Sequence, residues 1–326
     1  MARRAARLVS PRAVGVRAPW TAMPEHVHDW VDDELGSPVA TADDQVGGMS
    51  PGCATRLVCQ DGTRAFVKAV GTELNPRTPE LFRREVTALT LLGSHELWAD
   101  LRASYDDGDW VAILLEDVEG THPDLDDDAT MDTLLRETDR LGQVLAERVP
   151  DPPAPDPDNG GLADLRDGFH LWADAVARAG EIPPELLPDW VRHDTATWEP
   201  LVRDLADHEV RLVHWDIRND NLLERPTGEL VFLDWGAASV GPTWVDPLLA
   251  RLERVEHPWF DAALATSPAL LAAGDLAVDA WLVGFATFLA WRAHTVVDVN
   301  LPTLNDFRIS ESRRMLVGAE RRLGIA

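Results

Sequence analysis

Between residues 212 and 236 the chain alternates short apolar runs with polar loops in an order that few folds accommodate. It reads Leu212-Val213-His214-Trp215-Asp216-Ile217-Arg218-Asn219-Asp220-Asn221-Leu222-Leu223, turns at Pro226–Gly228, and continues Val231-Phe232-Leu233-Asp234-Trp235-Gly236. The apolar pieces predict a strand at 212–214 and a hairpin of strands at 222–224 and 229–233. Asp216 and Asn221 share one loop, and the hairpin returns Asp234 beside them. Turn-capping by Asp and Asn would explain the loop, but not the second segment of apolar-Asp-Trp-Gly.

These three side chains fit one chemistry. Phosphoryl transfer to an alcohol needs a carboxylate near the attacking hydroxyl and magnesium to neutralise the phosphate oxygens. Magnesium takes few protein oxygens, with water and phosphate completing its octahedron. Asp216 can supply the base, and Asn221 and Asp234 the metal ligands.

A second signal is compositional. The chain has 30 lysines and arginines together, and Lys68 is the single lysine, in Ala65-Phe66-Val67-Lys68-Ala69-Val70. A lysine in an apolar strand is ordinarily a solvent-facing residue. With arginine at every other basic position, this site reads as one that needs a compact ammonium rather than a planar fork. Before residue 120 the pattern predicts a short helix at 26–35 closed by Gly36, strands at 39–46, 54–59, 64–70, 101–105 and 110–117, and a helix from Pro79 to Leu92 with Leu81, Val86, Leu89 and Leu92 on one face. Gly47-Gly48-Met49-Ser50-Pro51-Gly52 joins two of these strands ahead of Lys68. Its backbone N–H groups can cradle phosphate, with Ser50 and Gly52 as the expected contacts. After Gly120 the chain is mainly helical, with helices predicted at 131–149, 162–179, 184–190 and 195–208 and more beyond 242. A length of 326 residues suits two large lobes.

The 212–236 block resembles the catalytic loop and metal-binding segment of the aminoglycoside phosphotransferase family, whose fold is similar to that of protein kinases. The resemblance covers roughly residues 40 to 250. It implies an α+β, bilobal protein-kinase-like fold. The N-lobe would be a five-stranded antiparallel sheet plus helix, and the C-lobe mainly helical with a catalytic β-hairpin. It implies Asp216 as catalytic base, Asn221 and Asp234 as magnesium ligands, and His214 as a loop brace. Arg218 stands where many protein kinases place a lysine on the γ-phosphate. Lys68 maps onto the strand lysine that holds the α- and β-phosphates, with Glu85, seventeen residues on, as its helix partner. Leu114-Leu115-Glu116-Asp117-Val118-Glu119-Gly120 would be the hinge, gripping adenine through the Glu116 carbonyl and the Val118 N–H. Asp246 either braces the catalytic loop or caps the helix that starts at Pro247. Trp281, Trp291, His294 and Asp298 fall where relatives bind the acceptor, although helical aromatics are more often core.

The expected activity is transfer of the ATP γ-phosphate, with Mg2+, to a hydroxyl of a small molecule such as an aminoglycoside or other cationic antibiotic. The alternatives are a metabolic kinase for a sugar, choline-like or homoserine-like alcohol, or a non-catalytic nucleotide-binding protein. A net charge of −26 argues against nucleic acid as a partner and mildly favours a cationic acceptor. The apolar stretch 277–293 is interrupted by Asp279, Gly284 and Arg292 and reads as a buried helix, so no membrane partner is expected. Cys53 and Cys59 lie roughly 20 Å apart on one strand, beyond disulfide reach, which fits a cytoplasmic protein, monomer or homodimer. Domain boundaries are expected at 1–24, a disordered basic tail with five arginines and Met23 as a second candidate start; 25–119, the nucleotide-binding lobe with a hinge at 116–120; and 120–326, the catalytic and substrate lobe.

Overall fold

The computed structural model describes residues 11 and 13–325. In chain order its elements are α1 (Glu25–Leu35), β1 (Val39–Asp44), β2 (Cys53–Cys59), β3 (Arg64–Gly71), α2 (Thr78–Leu92), β4 (Leu101–Asp106), β5 (Trp110–Leu115), α3 (Asp128–Arg148), β6 (Ala163–Asp164), α4 (Leu165–Ala177), α5 (Asp189–His193), α6 (Thr195–Asp204), β7 (Val210–Val213), β8 (Leu222–Glu224), β9 (Leu230–Phe232), β10 (Ser239–Pro242), α7 (Val245–Leu252), α8 (Trp259–Leu264), α9 (Pro268–Ala273), α10 (Asp275–Thr295) and α11 (Leu304–Leu323).

Two compact units divide these elements. The first holds the chain up to Val149 together with Asp156–Leu162 and Asp216–Ala238. Its sheet is antiparallel in the order β1-β2-β3-β5-β4. Strand alternation sorts the residues of β3: Ala65, Val67 and Ala69 enter a core with Val27, Val31, Leu57, Ala112 and Leu114, so Phe66 and Lys68 face the other way. The buried face of α2 is Phe82, Glu85, Leu89 and Leu92, rotated from the expected one, and Leu81 is exposed. A carboxylate therefore stands in the middle of an apolar stripe.

This unit is larger than the expected 25–119: it runs on through α3 to Val149, and two further segments join it. Hairpin β8–β9 joins it through Phe232 N–H to Leu97 O (2.7 Å), paired bonds between Thr121 and Glu224, and Trp98 edge-on to Trp235 at 5.4 Å. The segment expected to be a disordered tail also differs from residue 13 onward. Ala13, Trp20 and Met23 are buried, Gly15 N–H reaches Gly48 O, and Trp20 N–H reaches Asp44 Oδ1. Residues 1–10 and 12 lie outside the described residues.

The second unit holds Pro150–Pro155, Ala163–Trp215 and the chain from Ser239. It is helical around a small sheet in the order β6-β10-β7. Strand β10 is absent from the sequence reading because Ser-Val-Gly-Pro carries two poor strand formers. Gly241 packs closely there, since a Cβ would lie 2.4 Å from Leu165 Cδ1 and the leucine side chain would have to shift. The helix expected at 184–190 is instead α5, starting after Pro188, because a proline disfavours the helical conformation in the residue before it. Helix α10 is long and apolar enough to cross a membrane, yet over half of its most apolar window is buried, and it packs on α4, α6 and α11.

Candidate active site

Lys68 projects from the face of β3 opposite the core, and its ammonium is held from two sides. Nζ lies 2.5 Å from Glu85 Oε2 and 2.9 Å from Asp234 Oδ1. It also stands 5.2 Å above the Phe82 ring. Burial works against the charged lysine, but Asp234 and Glu85 outweigh it and raise its pKa. Glu85, 1% exposed, also takes the backbone N–H of Trp235, which ties α2 to the segment carrying Asp234. Burial pushes the Glu85 carboxyl up and Lys68 opposes the rise. For Asp234, burial is overcome by Lys68, with Arg17 and Arg218 adding to it, and the carboxyl is held down at about 2. Gly236 allows this approach, because a Cβ there would lie 2.9 Å from Leu81 O.

The loop from Asp216 to Asn221 is tied together by its own side chains. Asn221 Nδ2 donates to both Asp216 O and Asp216 Oδ2, each at 2.8 Å. Leu233 N–H donates to Asn221 O at 2.8 Å, which locks the loop to the residue just before Asp234. Arg218 donates from Nη1 to Asp216 Oδ1 at 2.5 Å and forks onto Asp220 with two bonds of 3.1 Å. Its guanidinium is thus committed to carboxylates. Burial pushes Asp216 up to about 6; Arg218 pulls it down, and Asp234 and Asp220 push it further up. Among the described residues, Trp215 and Asp234 are the two non-glycine residues with positive φ, at 66° and 63°. Strained backbone of this kind clusters at functional sites.

In the second unit, Asp246 accepts His214 N–H at 2.8 Å and Trp215 N–H at 2.9 Å, the two residues that precede Asp216 in sequence. Its carboxylate makes no capping bond in α7, so bracing is the role its geometry supports. Burial pushes its carboxyl up to about 6 against those two donors. Trp281 is fully buried among Trp172, Trp215 and Phe285, unlike the expected acceptor contact, and Asp298 is paired with Arg308.

Within the first unit a cleft is lined by Lys68, Glu85, Asp220, Asn221 and Asp234, by Glu116 and Val118, and by apolar Ala54, Phe66, Leu89, Leu115, Leu223 and Phe232. The sequence-predicted groups Lys68, Glu85, Glu116, Val118, Asn221 and Asp234 therefore share one space. Asp216 and Arg218 adjoin it through Asn221 and Asp220. Ser50 and Gly52 are a different case. Gly47 and Gly48 line the cleft in their place, while Gly52 N–H turns to Ser50 Oγ at 3.3 Å. Gly52 is glycine because its Cβ would lie 2.2 Å from Ala69 O on β3. Among the lining residues that sequence reasoning missed is Arg17, from the segment read as tail; no motif marks it. Among the described residues no cluster of three or more His, Cys, Asp or Glu can hold a metal alone. Magnesium needs only one or two protein carboxylates beside phosphate and water, so Asp234 with Asn221 suits that ion.

A strand lysine gripped by a helix glutamate and a hairpin aspartate, on a five-stranded antiparallel sheet, places this protein in the protein-kinase-like class of phosphotransferases. The profile of the phosphotransferase enzyme family (APH) matches residues 55–281, and the chain belongs to that family. No curated protein sequence matches it. Many solved structures share its fold, among them the following three. Choline kinase LicA from Streptococcus pneumoniae is 13% identical, with 91% of this chain and 100% of that one covered at a TM-score of 0.59. The gentamicin complex of APH(2")-IIa is 13% identical, covering 91% and 98% at 0.58. A thermostable mutant of the aminoglycoside phosphotransferase APH(4)-Ia, in ternary complex with ADP and hygromycin B, is 15% identical, covering 90% and 98% at 0.56.

Proposed function

We propose that this protein transfers the γ-phosphate of ATP to a hydroxyl of a small cationic molecule such as an amino-sugar. The observation that carries this reading is the convergence of Lys68, Glu85, Asn221 and Asp234 on one cleft, with Asp216 held against Asn221. In this reading the Glu116 carbonyl and Val118 N–H hold the adenine edge. Their counterparts are already occupied: Glu116 N–H by Asp100 O and Val118 O by Arg56. Lys68 holds the α- and β-phosphates. Asp234 and the Asn221 Oδ1, the atom left once Nδ2 is spent on Asp216, are the groups that hold magnesium, which supplies charge neutralisation at the phosphate oxygens.

Asp216 takes the proton of the acceptor hydroxyl as its oxygen bonds to the γ-phosphorus and the bond to the β–γ bridging oxygen breaks, releasing ADP. A pKa raised to about 6 leaves Asp216 ionised at pH 7 yet more basic than an ordinary carboxylate. Arg218, expected on the γ-phosphate, is better described as the group that keeps Asp216 charged and aimed.

A cationic acceptor is supported by the net charge of −26. The structural relatives include one that binds gentamicin and a choline kinase, both consistent with a cation. The test is ADP release from purified protein with ATP and magnesium over a panel of amino-sugars, choline and neutral sugars. Turnover with the amino-sugars or choline supports the reading. Turnover confined to neutral sugars overturns the cationic acceptor, and no turnover with any overturns the activity on these classes.

A further inference from the structure

The segment before α1 runs along the glycine loop as a strap. Val14 pairs in parallel with Gly48, Gly15 N–H donates to Gly48 O at 2.8 Å, and Ala18 N–H donates to Pro51 O at 2.9 Å. Trp20, 5% exposed, anchors the far end in the core. Between these anchors Arg17 turns into the cleft. Its Nε donates to Gly47 O at 2.6 Å and its Nη1 reaches Gly52 O at 3.4 Å. A Cβ on Gly48 would lie 2.4 Å from Arg17 Nη2, so the guanidinium fills the space that a side chain on the loop would take.

The charges of the cleft give this placement its meaning. Lys68 is shared by Glu85 and Asp234, Arg218 is bonded to Asp216 and Asp220, and Arg56 is paired with Asp117. Arg17 bonds to carbonyl oxygens instead, which leaves its positive charge unneutralised by direct contact. A partly buried guanidinium of that kind gains from an anion, and its planar fork matches phosphate. We propose that Arg17 is a phosphate-binding residue of the nucleotide site, delivered by the strap, and that it makes the site favour di- and triphosphates over the bare nucleoside. The inference rests on the nucleotide reading of the cleft given above.

Calorimetric titration of the full chain with adenosine, ADP and a non-hydrolysable ATP analogue, in the presence of magnesium, tests it. Wild type should bind the analogue and ADP more tightly than adenosine. Arg17→Gln should weaken the analogue by ~10- to 100-fold, the range for a hydrogen bond to a charged group, with adenosine affinity unchanged. Arg17→Lys should restore part of the loss. Retained adenosine binding also reports that the variant is folded. Equal affinity of Arg17→Gln and wild type for the analogue overturns the proposal, as does tighter binding by the variant, which would make Arg17 a plug. An equal loss for adenosine overturns it in favour of a structural role. Failure of wild type to bind any of the three ligands sinks the nucleotide reading itself, a result distinct from the others.

Discussion

Arg218 Nη1 sits 2.5 Å from Asp216 Oδ1, so the carboxylate assigned to proton abstraction is charge-paired before any substrate arrives. Burial raises Asp216 to about 6 in spite of that pair. A base must be deprotonated to act. The acceptor kcat/KM should therefore be full well above pH 6 and fall as pH drops through about 6. Arg218→Gln removes a lowering influence and should move this limb to higher pH. Asp220→Asn removes a raising one and should move it to lower pH. A pH–rate series on the three proteins checks the order, and an acid limb that stays in place in both variants contradicts the assignment.

Lys68 and Glu85 form a buried pair whose halves should differ in what their loss does. Lys68→Met leaves a carboxylate at 1% exposure without its cation, which costs about 3 kcal/mol or more. Burial already pushes Glu85 up, so without Lys68 its folded pKa lies above the unfolded value. The folded variant then binds the proton more readily, and its stability deficit should shrink as pH falls from 7 toward 5. Lys68→Met combined with Glu85→Gln should recover part of the loss at pH 7. Urea unfolding at the two pH values measures both effects.

Asp246 satisfies two N–H groups at His214 and Trp215. Asp246→Ala strips both acceptors from a buried site and should cost about 2 to 3 kcal/mol. Asp246→Asn keeps an acceptor oxygen and should cost less. Thermal unfolding of the two variants ranks them, and equal stability to wild type for the alanine variant would show that the brace is not needed.

Glycines at two turns should lose very different amounts of stability on change to alanine. Gly52→Ala drives a Cβ to 2.2 Å from the Ala69 carbonyl of the neighbouring strand, a backbone atom that cannot step aside. Gly62 has φ +90° with open space around it, so alanine there meets only conformational strain of about 1 kcal/mol. The expected outcome is a poorly folded Gly52→Ala and a folded, mildly weakened Gly62→Ala, read by the melting temperature.

Much of this site was legible in the sequence because its logic is local. Alternation in β3 turned Lys68 away from Val67 and Ala69, and the loop and hairpin spacing delivered Asp216, Asn221 and Asp234 as a set. The rest depends on packing between distant segments. Nothing near Arg17 announces that its segment pairs with Gly48, or that Gly52 serves a strand contact while Gly47 and Gly48 line the cleft. The apolar spacing of α2 points to Leu81 and Val86, while the helix buries Phe82 and Glu85 instead. Lys68, the partner of Glu85, is what brings that carboxylate inside. Trp281 was placed among acceptor contacts by its neighbourhood, but only the fold shows it enclosed by Trp172 and Trp215.

The central claim is that Asp216 serves as the base for phosphoryl transfer from ATP. Labelled γ-phosphate transfer to an accepted hydroxyl substrate, measured side by side for wild type and Asp216→Ala with nucleotide affinity determined in parallel, tests it most directly. The account predicts a fall of ~10²- to 10⁴-fold in turnover with nucleotide binding retained. Full turnover by Asp216→Ala would contradict it.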